Sequence, residues 1–121
     1  IQFDSNCFAV MLFKIRNMHL LFSDEAYIND EEKFDTIYFI LRNVVEELLG
    51  AKHKGYLSVV DGHIICLVNI NEDRISCWQE DVVQAIDYTK KFVESNFGIS
   101  FSVFISMLLF WSSKIVTLLQ N

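Results

Sequence analysis

Three histidines, three cysteines and a run of acids are the side chains in this 121-residue sequence that could do chemistry. His63 and Cys66 are both metal-ligating types, but residues three apart on a strand point to opposite faces, and no second pair lies near them in sequence. That spacing suits a histidine at a turn edge and a cysteine in the core. His19 and His53 fall in expected loops without partners at ligand spacing, and nothing marks Cys7 and a histidine as a nucleophile and its base. Asp30, Glu31, Glu32 and Asp35 open an expected helix, where the N-terminal dipole stabilises carboxylates, so they are a solvated cap before they are catalytic acids. Neither a P-loop nor a GxGxxG sequence occurs, which leaves phosphate cradling by a glycine loop unsupported. Trp78, Phe92 and Phe97 recur at helical spacing and are expected in the core rather than in a ligand cage.

The elements that must position these residues centre on Lys54 to Ile70, where two apolar segments flank Asp61-Gly62. Asp-Gly between apolar runs signals a β-hairpin, because a type I′ turn needs positive φ at both central residues. The second arm, Ile64 to Val68, is apolar at every position and is expected to be covered on both sides. Cys7 to Arg16 is a first strand, mostly apolar and then alternating Phe13, Lys14, Ile15, Arg16. Asn17 to Asp30 is a loop with a short helical turn. From Glu31 to Leu49, Phe34, Ile37, Tyr38, Leu41, Val44, Val45 and Leu48 recur at helical spacing. Asn69 to Arg74 is a polar loop, and Ser76 with Gln79 has the spacing of a capping box for a helix to about Asn96 that Gly98 stops. The stripe Trp78, Val82, Ala85, Ile86, Thr89, Phe92 and Val93 faces inward on it. Ile99 to Ser106 is a fourth strand, Met107 to Trp111 an apolar connection, and Ser112 to Gln120 a final helix or helix fragment. The order β-α-β-β-α-β-α predicts an α+β fold, a ferredoxin-like antiparallel sheet with helices packed on it. Right-handed split βαβ crossovers set the first strand and the second hairpin arm side by side at its centre.

With 52% hydrophobic residues the chain is long enough for one domain with its own core, spanning residues 1–121, and too short for two. It begins with Ile1 and without a signal-like start, and is expected to be a fragment of a longer polypeptide. The net charge of -6, with basic residues scattered along the chain, argues against a nucleic-acid footprint and against an anionic membrane surface. Cys7, Cys66 and Cys77 are odd in number and lack CxxC spacing, as in a reducing cytoplasm. The run Ile99 to Leu119 holds one charge, Lys114, but Ser100, Ser102 and Ser106 alternate with apolar residues, which predicts strand plus helix rather than a membrane span.

Several local patterns in this order resemble the degenerate GGDEF-like domain of AraC-type transcriptional regulators in Firmicutes, a relative of diguanylate cyclases and class III nucleotidyl cyclases. FAVMLFKIRN (Phe8 to Asn17) resembles the family's first strand, YLSVVDGHIICLVNI (Tyr56 to Ile70) its central hairpin, and FVESNFGISFSVFIS (Phe92 to Ser106) its segment of helix, FGI and strand. Active relatives hold Mg²⁺ with an acid at the end of the first strand, since that ion requires hard oxygen ligands. Here the polar side chains at that end are Lys14 and Arg16. The signature turn is replaced by Val60-Asp61-Gly62-His63-Ile64, and AKHK from Ala51 to Lys54 supplies no Arg-x-x-Asp inhibitory site. The resemblance therefore implies a regulatory or dimerisation module that is not an enzyme and carries no cofactor or metal. It also implies a cytoplasmic homodimer without membrane insertion by this segment, touching DNA only through a helix-turn-helix region outside these residues. An alternative is sensing of a nucleotide or small anion, without catalysis, by Lys14, Arg16, Asp61 and Gly62.

Overall fold

The structure, a computed structural model, describes residues 3–21, 29–107 and 109–110, the last two by backbone alone. The strands are β1 (Cys7–Ile15), β2 (Lys54–Val60), β3 (His63–Asn69), β4 (Phe101–Ile105) and β5 (Leu109–Phe110). The helices are α1 (Asp30–Gly50) and α2 (Trp78–Phe97), with single-turn or kinked 3₁₀ stretches at Met18–Leu20 and Glu72–Cys77. The sheet order is β2-β3-β1-β4 with every pair antiparallel, so β1 and β3 are central as the split-crossover reading requires. This is the α+β, ferredoxin-like arrangement expected.

Local chemistry explains why each element forms. Asp61 (φ 51°) and Gly62 (φ 79°) take the left-handed conformation at both central positions of the hairpin turn, which is what a tight connection between right-twisted strands demands. Asn29 caps α1, its side chain accepting the Glu32 N–H at 2.8 Å. Along α1 the residues Ile37, Leu41, Val45 and Leu49 fall every four positions and are all buried. They meet the inward residues Ala9, Met11 and Phe13 of β1 and Ile64, Cys66 and Val68 of β3, together with Val82, Ile86 and Val93 of α2, in one core. Each such side chain, fully removed from water, contributes about 1.5 to 3 kcal/mol before entropy is charged against it.

Several boundaries differ from the sequence reading. β1 ends at Ile15 and β3 runs on to Asn69, because the buried Asn69 side chain bonds to the N-terminal segment instead of solvent. The capping box does not form: Ser76 lies inside the 3₁₀ stretch, α2 starts at Trp78, and its N-cap Cys77 makes no side-chain cap bond. Asn71 does the local capping instead, accepting the Asp73 N–H at 3.0 Å. Phe92 and Phe97, expected in the core, are exposed; they lie edge to face on each other at 6.3 Å while Trp78 alone of that trio is buried. The second hairpin arm is covered on its inner side, and its outward residues Ile65 and Leu67 are only half-buried. Within the expected connection Met107 to Trp111, Leu109 and Phe110 form β5 against Phe8 and Cys7. The final helix expected over Ser112 to Gln120 lies outside the described residues, as does half of the Asn17 to Asp30 loop, residues 22–28. No described helix is long and apolar enough to cross a membrane.

Candidate functional site

The site residues singled out in the sequence gather at one end of the sheet. The β1–β3 pairing ends at Phe13 opposite Ile64, so Lys14 and Arg16 beyond Phe13, and His63, Gly62 and Asp61 before Ile64, all lie past that pair at one end of the sheet. Arg16 extends the ladder on the other side, its N–H bonding the Ser100 carbonyl at 2.8 Å. Lys14, Arg16, Asp61, Gly62 and His63 are all exposed. Among the described residues no ion pair joins the two cations to Asp61 or to any other acid. The structure thus brings the four residues together, as a solvated sheet end with two uncompensated cations. His63 points outward and Cys66 inward, buried in the core, which separates that pair as its strand spacing predicts.

A second constellation had no sequence signal. His53, expected in a loop without partners, is buried with 1% of its side chain exposed, and its Nε2 lies 2.8 Å from Oδ2 of Asp81 in α2. Its Nδ1 accepts the backbone N–H of Asn71 at 2.9 Å, which fixes the ring proton on Nε2 and makes that nitrogen the donor to Asp81. Arg74 completes the cluster with a fork onto the same carboxylate, Nε to Oδ2 at 2.7 Å and Nη2 to Oδ1 at 2.8 Å. Lys52 Nζ stands 3.5 Å from Oδ1. The Arg74 bonds, helped by His53 and opposed by burial, hold the Asp81 carboxyl far below the usual carboxylate range; Arg74 is raised in return. A histidine beside a buried aspartate has the look of an oriented general base. Here both ring nitrogens are engaged inside the fold, so neither has a lone pair free for a substrate proton. The cluster clasps the ends of α1, β3 and α2 together. Its partners are separated by 28 residues along the chain between His53 and Asp81, which is why spacing could not reveal it.

The third feature is a surface. Side chains alternate across a strand, so the residues of β1 to β4 that point away from the core can be read from the register. Tyr56, Leu67 and Val10 form one row; Ser58, Ile65, Leu12 and Phe104 form the next. Val60, His63, Lys14 and Ser102 close the face at the hairpin end, and Lys54, Asn69 and Phe8 at the other. Phe3 lies edge to face on Phe8 at 5.0 Å, near Tyr56. Phe104 is 59% and Val60 49% exposed, while both described helices lie on the opposite side of the sheet. The unbroken apolar run Ile64 to Val68 signals the outer face on β3 alone; its neighbours Val10, Leu12 and Phe104 join it only through the register.

No family model matches the sequence, and neither the curated proteins nor the solved structures contain a significant match to it.

Proposed function

We propose that this chain is a non-catalytic regulatory module that works by contact with another polypeptide through the outer face of its sheet. The observation that carries the proposal is the apolar block Val10, Leu12, Ile65, Leu67 and Phe104, which no described helix covers. Soluble domains rarely leave such a contiguous patch to water without an interaction that uses it. The resemblance to degenerate GGDEF-like domains gives the reading its setting, a cytoplasmic AraC-type transcription regulator whose helix-turn-helix region lies outside residues 1–121. Lys14 and Arg16 stand where active relatives need acids, and a cation there repels Mg²⁺. All three cysteines are free thiols, which accords with a reducing compartment.

Two measurements test this. Incubation with GTP or ATP and Mg²⁺ is expected to give no cyclic product, and turnover that is abolished by changes at the hairpin end would overturn the non-catalytic reading. The gene on either side of this segment is expected to encode a basic helix-turn-helix pair downstream; a parent protein without one would remove the transcriptional setting. A second reading is favoured by the two uncompensated cations alone: Lys14, Arg16 and the Asp61-Gly62 turn bind a nucleotide or other small anion without transforming it. Calorimetric titration with a nucleotide panel that gives no heat at millimolar ligand would eliminate it.

A further inference from the structure

The outer face has a charge pattern that the chain as a whole does not share. Sixteen acids and ten basic residues give a net charge of -6, yet the outward strand positions carry Lys54, His63 and Lys14 and not one acid, and just beyond them at the hairpin end lie Arg16 and the single carboxylate of Asp61. Lys54 is neutralised, its Nζ lying 3.0 Å from the Asp4 carboxylate. Lys14 and Arg16 are not. The face is therefore an apolar block with a net positive end, two cations to one carboxylate, on a molecule whose net charge is negative.

Resting on the reading of this face as a contact surface, we propose that its partner is an amphipathic helix with an apolar stripe flanked by acids. The apolar stripe would lie across Val10, Leu12, Ile65, Leu67 and Phe104, with its carboxylates at the Lys14 and Arg16 end. Complementary charge at such a rim chooses the partner and its orientation, while the apolar centre supplies affinity. A second copy with matching ends sets Lys14 and Arg16 against their own counterparts, with Asp61 the acid at that end; reversed end for end, it brings them toward Asp4, already paired with Lys54, and Glu72, a case that light scattering reads directly. An anionic bilayer would act on the molecule's net charge of -6 as well as on the face, whereas a single helix meets the face alone. Addition of a strand at the edge of β2 is blocked at Leu57, whose outward N–H is taken by Glu46 at 2.8 Å and whose carbonyl is taken by the Tyr38 hydroxyl at 3.0 Å.

The test uses the full chain and two synthetic helical peptides of the same Leu/Ala apolar stripe, one flanked by Glu and one by Lys. Calorimetry at low salt is expected to show the Glu peptide binding at least about tenfold tighter than the Lys peptide, with salt narrowing the gap. Lys14→Glu combined with Arg16→Glu should reverse the preference, and Phe104→Glu, an exposed position outside the core, should weaken the Glu peptide while leaving the thermal transition in place. Equal binding of both peptides, each lost in Phe104→Glu, would overturn the acidic partner and keep the face as an interface. No binding of either peptide would overturn the acidic helix; a dimer by light scattering would then give the face to a second copy, and a monomer would overturn the face as an interface. Stronger binding to phosphatidylserine vesicles than to the Glu peptide, lost with Lys14→Glu and Arg16→Glu, would replace the helix by a lipid surface.

Discussion

Asp81 draws in the side chains of four other residues. Its side chain is 5% exposed and accepts from Arg74 and His53, with Lys52 near and the Cys77 thiol at 4.0 Å. An amide in its place keeps one acceptor but presents an NH₂ to donors, leaving at least one buried donor unpaired. Removing one partner of such a group costs far more than the net value of the bond. Asp81→Asn is expected to lower stability at pH 7 by about 2 to 4 kcal/mol in urea titrations followed by circular dichroism. The sign of the pH dependence follows from the lowered pKa. The native carboxyl titrates below its unfolded counterpart, so its stabilisation is complete above the unfolded value of about 4 and is lost as pH falls toward the native one. The gap between parent and Asp81→Asn should therefore be present at pH 7 and close below about pH 4. A gap that persists undiminished at pH 3 would show that the charge of Asp81 is not what the clasp uses.

At the scale of elements, α1 packs closely on the first arm of the hairpin at Gly55. A Cβ built on Gly55 of β2 would lie 2.6 Å from Leu49 Cδ1, 3.3 Å from its Cβ and 3.5 Å from Cys66 Sγ. Leu49 is itself buried in the core, so it cannot turn away without displacing its neighbours. Gly55→Ala is expected to cost about 1 to 3 kcal/mol. Gly50→Ala, five residues away at the end of the same helix with nothing within 4 Å, is expected to be neutral or to stabilise by up to about 1 kcal/mol through its helix propensity. Thermal melts of the two variants give the comparison, and equal effects would sink the steric account. The hairpin and α1 were legible in sequence because their signals are local: a turn dipeptide with positive φ, and an apolar repeat of three and four. The start of α2 was not, since a capping box competes with Asn71 and the Arg74–Asp81 fork, which fix the chain through tertiary bonds. The edge of β1 tells the same story. Between Met11↔Ile105 and Phe8↔Leu109 that edge gains one residue on the β4–β5 side, and the Ser106 hydroxyl fills the ladder by accepting the Val10 N–H at 2.9 Å. Such a bulge depends on which strand lies opposite, which periodicity does not encode. The candidate site divides in the same way: the strand end and the turn were visible, while the His53 clasp and the charge of the outer face appear only once the register is known.

For the molecule as a whole, the three thiols report how stability is distributed. Cys66 sits in the middle of β3 within the core, and burial pushes its thiol up to about 12; Cys7 is also buried and raised by the same cause. Cys77 is half-buried at the rim of the clasp, where it can be reached without opening the core. The thiolate is the reacting species, so a buried thiol held protonated reacts through opening of the surrounding structure. At pH 8 an aromatic disulfide reagent should therefore modify one thiol rapidly, and Cys77→Ala should remove that phase. Cys66 should follow the global equilibrium, its rate rising with urea at the slope of the equilibrium unfolding transition. Cys7 lies where β1 meets both the Asn69 network, whose amide donates to the Cys7 carbonyl at 3.2 Å, and the short β5 pairing. Its rate decides between two pictures of the molecule. Modification together with Cys66 would make the N-terminal segment part of one cooperative unit with the core, as the buried Asn69 and Ser5 bonds require. Earlier modification, with a shallower urea slope, would mean that this end of the sheet opens by itself and that the Asn69 network does not hold it.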